Sequence, residues 1–127
     1  MKTEVQELVG LARFFNRIKS PQAQEAFCLL LGYASCWSGH EVRIKPQGNL
    51  MSVGVYKGKS CPFAFTANDH WVLFYFRKPA VQSKQYSDVV LGDAFDTFKA
   101  VQDEEWTLKL RSIDDVRRLI PLLVMPL

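Results

Sequence analysis

The chain has 127 residues, of which 48% are apolar and 23% charged, with a formal charge of +3. That length supports one hydrophobic core rather than two, so residues 1–127 are expected to form a single domain, and the composition excludes a disordered chain. The longest apolar runs, such as Val72 to Phe76, are too short to cross a bilayer, and Met1-Lys2-Thr3-Glu4 opens without the apolar stretch of a signal peptide, so a cytoplasmic protein off the membrane is expected.

Thr3-Glu4-Val5-Gln6 has capping-box spacing, and Val5, Leu8, Val9, Ala12, Phe15 and Ile18 follow at helical intervals, which predicts a first helix over about 4–18. Ser20-Pro21 restarts the chain, since serine is a good N-cap and proline at the first helical position gives up only a hydrogen bond that would be absent anyway. The second helix, about 21–37, is the more apolar one. Its Cys28, Gly32 and Ser35 form a stripe of small side chains with room for a close neighbour.

A meander follows. Glu41 to Lys45 alternates with period two, Pro46-Gln47-Gly48-Asn49 supplies turn chemistry, and Leu50 to Tyr56, Cys61 to Ala67 and Trp71 to Arg77 make three more strands separated by the tight turns Lys57-Gly58 and Asn68-Asp69-His70. Beyond Pro79 the pattern weakens to a polar loop, Gln82-Ser83-Lys84-Gln85, and a short helix capped by Asp93 that carries Phe95, Phe98 and Val101. Glu105 to Arg111 reads as a fifth strand. Ser112-Ile113-Asp114-Asp115 then opens a third long helix with Val116, Leu119, Ile120 and Leu123 on its buried side, which Pro121 should end or kink. The fold class is α+β in the order ααββββ(α)βα, an antiparallel sheet of about five strands with helices packed mainly on one face.

The fourth strand carries the main clue to function. Val72, Phe74 and Phe76 form one alternating set and Trp71, Leu73 and Tyr75 the other, and both are apolar, whereas a sheet with one wet face should have one polar set. With Val53, Val55, Phe63, Phe65 and the first set against the helices, the small residues Ser52, Gly54, Ala64 and Thr66 share the second face with Tyr56, Trp71, Leu73 and Tyr75. Those four are the candidate interface or ligand face. It would be covered by residues 79–104, buried in a dimer, or left for an apolar ligand or stacked bases. Arg43, Lys45, Arg77, Lys78, Lys109 and Arg111 are the candidate phosphate contacts, because nucleic-acid binding needs cations interleaved with aromatic rings.

Catalytic and metal chemistry finds little support. His40 and His70 have no partner at ligand spacing, and Lys59-Ser60-Cys61 is a commonplace strand-end arrangement. No glycine forms a phosphate loop, and no cofactor or metal is implied. The three cysteines, Cys28, Cys36 and Cys61, are expected to be buried reduced thiols.

The run from the aromatic strand through Glu105-Trp106-Thr107-Leu108-Lys109-Leu110-Arg111-Ser112-Ile113-Asp114-Asp115-Val116-Arg117-Arg118-Leu119-Ile120 resembles the end of a small uncharacterised α+β domain found attached to bacterial restriction and nuclease proteins. The resemblance spans about residues 70–124 and implies an accessory role near DNA. It carries over no catalytic residue, because Thr107 stands where a nuclease strand needs lysine. The leading expectation is a bacterial-type, non-enzymatic module that self-associates as a homodimer. A nucleic-acid-binding accessory domain and a small-molecule binder with an aromatic-lined pocket are the alternatives.

Overall fold

The structure, a computed structural model, describes the backbone of residues 4–47, 50–101 and 104–124, and the side chains of these except 4–7, 45–47, 50 and 51. Helices α1 (Glu4–Arg17) and α2 (Pro21–Ser35) are followed by strands β1 (Glu41–Gln47), β2 (Leu50–Lys57), β3 (Ser60–Ala67) and β4 (Val72–Phe76). Helices α3 (Lys78–Gln82) and α4 (Asp88–Ala94), strands β5 (Lys99–Val101) and β6 (Glu105–Leu110), and helix α5 (Ile113–Val124) complete the chain. The sheet is antiparallel throughout and runs β1-β2-β3-β4-β6-β5. It has six strands rather than about five, because the edge strand β5 is only three residues long and gives no alternating pattern to read.

The α+β class and the division of the sheet into two faces are as the alternation predicts. Val53, Val55, Phe63, Phe65, Val72, Phe74, Phe76, Leu108 and Leu110 are buried in one core with Phe14, Ile18, Phe27, Leu30, Val116 and Leu119 from the helices. Ser20 caps α2 as expected, its hydroxyl accepting from the Ala23 amide at 3.3 Å. The turn before it is tied down from across the fold: the Lys19 and Ser20 amides donate to the Asp69 carbonyl, and Arg17 pairs with the Asp69 carboxylate at 3.1 Å.

Helix α1 is rotated from the expected stripe. Phe14 and Ile18 are buried, with Leu11 and Phe15 packed beside them, while Leu8 is 65% exposed and Val9 45%. Two sets at helical spacing compete on this helix, and the one carrying both phenylalanines wins. Phe14 stacks on Phe27 at 4.5 Å and meets the edge of Phe65 at 6.1 Å, and aromatic rings bury more area than the aliphatic side chains they exclude.

The least legible stretch differs most. The short helix is α4, capped by Ser87, whose hydroxyl accepts from the Val90 amide at 3.2 Å; Asp93 lies near its end, and Val101 belongs to β5. The stretch packs on the helix side of the sheet: Ala80, Leu91 and Phe95 are buried, Tyr86 meets Phe63 and Phe76 at 5.7 and 5.4 Å, and Phe98 meets Trp106 at 5.7 Å. The described residues of the stretch therefore do not fold back over the second face. Pro46 lies within β1 rather than in a turn, which an edge strand tolerates because one side of its backbone has no ladder to complete. Gly48 and Asn49 lie outside the described residues. Helix α5 continues past Pro121 to Val124, keeping Leu123 in the core. Its buried Asp115 accepts from the Arg111 amide at 2.8 Å and also bonds Arg118, whose other guanidinium nitrogen donates to the Ala94 carbonyl at the end of α4.

Candidate functional site

The register lays out the second face of the sheet in rows. Arg43, Gly54, Ala64, Tyr75, Thr107 and Lys99 face one another across all six strands, and Ser52, Thr66, Leu73 and Lys109 form the next row. Small side chains fill the middle and cations stand at both sides. Tyr56, expected to be an open part of this face, is only 6% exposed. The position of an ideal Cβ on Gly54 lies 2.6 Å from the Tyr56 ring and 3.2 Å from Cys61 Sγ, so the ring lies down on the glycine. Arg43 covers its other side at 4.5 Å from the ring centre and donates to the Glu41 carboxylate at 3.1 Å. That hydrogen bond and the attached charge hold the Glu41 carboxyl below its ordinary value. Lys109 does the same for Trp71, its ammonium 4.1 Å from the ring centre. The face covers its own aromatic surface by laying rings on small residues and cations on rings.

The remaining candidates scatter. Leu73 and Tyr75 lie half-buried on this face. Arg77 pairs with Glu105 at 3.5 Å. Lys78 opens α3, away from the rows, and Arg111 is held by Asp96 at 3.2 Å and Asp115 at 3.6 Å. The Lys45 side chain lies outside the described residues. Cys28 and Cys36 are exposed rather than buried, and Cys61 is half-buried. Cys28 lies off the buried stripe of α2, Ala23, Ala26, Phe27, Leu30 and Ala34, and Cys36 follows the helix at its C-cap. Gly32 has nothing within 4 Å of its Cβ position, so the stripe of small residues has no close neighbour among the described residues.

On the other side of the sheet an open pocket of about 380 Å³ forms where the end of α2, the β2–β3 turn, α3 and the last turn of α5 converge. Its walls are aromatic. Trp37 stacks on His40 at 4.0 Å and on Phe63 at 5.3 Å, and Tyr86 stands edge-on to Phe63. His40 is oriented by its Nδ1–H, which donates to the Ser38 carbonyl at 2.9 Å and so leaves Nε2 as the nitrogen able to accept in the neutral ring. Lys57, Ser60 and Gln85 add polar groups. In the sequence His40 stands out only as an isolated titratable ring and Trp37 as one more apolar residue at the end of the second helix, and nothing local marks Tyr86. The one local signal is the spacing of three residues between Trp37 and His40, which the turn through Gly39 brings face to face.

Behind these walls the Tyr33 hydroxyl is buried and has no hydrogen-bond partner among the described residues, its ring 5.5 Å from Trp37. Burial raises the pKa of Tyr33 above the ordinary 10.0, and burial first, then the Tyr33 hydroxyl, raises that of Tyr86. Both folded values lie above the unfolded ones. Their contribution to stability is therefore intact below about pH 10 and is lost as the pH rises through the raised values. Tyr33→Phe is expected to leave stability at pH 8 unchanged or raise it by about 1 kcal/mol, since an unsatisfied buried hydroxyl is removed, and to flatten the alkaline decline. Urea midpoints at pH 8 and pH 11 measure both effects, and a clear loss at pH 8 would mean that the hydroxyl is bonded.

Among the described residues no group of three His, Cys, Asp or Glu side chains is placed to hold a metal, and no helix is long and apolar enough to cross a membrane. No family model, curated protein or solved structure matches the chain.

Proposed function

We propose that this chain is a binding module that takes a small ligand with a flat, apolar body in the pocket walled by Trp37, His40, Phe63 and Tyr86. The observation that carries this reading is the convergence of four rings from three separate parts of the chain on one open space of about 380 Å³. That volume suits a small molecule, and an apolar lining with a few placed polar groups is the usual make-up of such sites.

The second face of the sheet has less in its favour. A face-to-face pair of copies would set cations against cations in either orientation, because Arg43 and Lys99 stand at opposite ends of one row. Base stacking would have to displace Arg43 from Tyr56 and Lys109 from Trp71.

Titration with 1-naphthol tests the proposal. Ligand should quench Trp37 fluorescence, shift its indole N–H resonance and raise the melting temperature, since binding to the folded state alone must stabilise it. Gln85→Trp, which puts bulk at the pocket wall from an exposed position, should abolish all three effects while the protein stays folded. No response at millimolar ligand, or an equal response from the variant, would overturn the assignment.

A further inference from the structure

The pocket does not end at its aromatic walls. Ser60 and Pro79 are also part of a second cleft, of about 490 Å³, lined by Lys59, Cys61, Arg77, Lys78 and Glu105. Three cations stand there against one carboxylate, and that carboxylate is engaged by Arg77 at 3.5 Å. Lys59 and Lys78 make no ion pair among the described residues. They come from separate elements, Lys59 from the β2–β3 turn and Lys78 from the first position of α3, and Ser60 lines both spaces. Lys57, on the far side of the same turn, lines the aromatic pocket. Cations gathered along one concave site with no counter-charge of their own raise its positive potential, and an anion seated there gains from that potential and from charge-assisted hydrogen bonds.

Resting on the pocket assignment above, we infer that the ligand is an aromatic anion: its planar part lies in the pocket, and its phosphate or carboxylate group reaches past Ser60 to Lys59 and Lys78. The division of labour follows from the chemistry on each side. Stacked rings supply area without charge selectivity, and the two lysines supply charge without shape selectivity, so the pair selects for a molecule carrying both. Because both lysines are solvent-exposed, the gain from the anionic group is moderate, roughly tenfold in affinity, and weakens with salt.

The test compares 1-naphthyl phosphate with 1-naphthol on the full chain and on Lys59→Ala/Lys78→Ala, by Trp fluorescence at 20 mM and at 500 mM salt, with inorganic phosphate as a third probe. The expected result is that the phosphate ester binds roughly ten times more tightly than the alcohol at low salt, that the advantage vanishes in the double variant and at high salt, and that the affinity for naphthol is unchanged in both. Equal affinity of ester and alcohol for the unaltered protein would overturn the anionic ligand and leave the pocket standing. An advantage that survives in the double variant would overturn the assignment to Lys59 and Lys78. Binding of neither naphthyl compound would overturn the pocket itself and this inference with it, and so would inorganic phosphate bound as tightly as the ester, since the aromatic part would then contribute nothing.

Discussion

Phe63→Ala is expected to destabilise the protein by about 3–5 kcal/mol, the range for removing a buried aromatic ring that its surroundings cannot refill. Phe63 is 2% exposed and meets Trp37, Phe74, Phe76 and Tyr86 at ring separations of 5.3 to 5.8 Å. Its neighbours on β4 are held by the strand ladder, Phe76 directly opposite it in register, so they cannot slide into the space. Urea unfolding should give a lower midpoint with the slope little changed, as for a loss of stability without a change in the area exposed. The loss extends to the candidate site, because Trp37 and Tyr86 both lean on this ring, and naphthol binding should fall with it. Leu8→Ala is the matched control, a large apolar residue that is 65% exposed and whose removal should cost less than about 0.5 kcal/mol. A loss below about 1 kcal/mol for Phe63→Ala would contradict this packing.

Gly54→Ala should cost about 1–3 kcal/mol, a large effect for adding one methyl group. The methyl would arrive 2.6 Å from Cε1 of Tyr56 and 3.2 Å from Cys61 Sγ. The Tyr56 ring has to give way, and it is held between the sheet below and Arg43 above. Lifting it exposes apolar surface that the face now covers. The cause is tested by a double-mutant cycle: in a Tyr56→Ala background Gly54→Ala should be nearly neutral or stabilising, since the obstacle is gone and alanine has less backbone entropy to lose than glycine. Additive costs in the double variant would show that the clash lies elsewhere. Arg43→Ala, which removes only the upper layer, should soften the cost of Gly54→Ala without abolishing it.

How far the sequence carried depends on whether a feature is local. Ser20-Pro21 marks the start of α2 because both the cap and the missing amide act within one turn. The period of two sorts the residues of β2, β3 and β4 into two sets whatever they pack against, and in β2 and β3 the contrast between the sets also says which one faces the core. Periodicity places the helix α1 but not its buried face, because two sets of residues satisfy helical spacing equally and the choice is made by what Phe27 and Phe65 offer from across the core. It failed for residues 79–104, where two short helices and a three-residue strand carry too few turns of pattern to read. There the burial of Tyr86, Leu91 and Phe95 against distant residues decides the path.

The candidate sites divide in the same way. Two apolar sets on the strand from Trp71 to Arg77 mark its second face in the sequence, and the period of two puts Tyr56, Leu73 and Tyr75 on that side of the sheet together. That Tyr56 lies flat on Gly54, and that Arg43 and Lys109 lie over Tyr56 and Trp71, depends on cross-strand register and side-chain direction, which only the assembled sheet settles. The aromatic pocket was out of reach altogether. Trp37, Phe63 and Tyr86 are separated by more than twenty residues at each step, and nothing in the local pattern of any of them records the others. By itself the sequence determined the class of fold, the periodicity of its strands and the two faces of its sheet, all consequences of short-range geometry. The tertiary structure alone decided which rings meet, which face covers itself and where a space remains, because those depend on how separate elements pack.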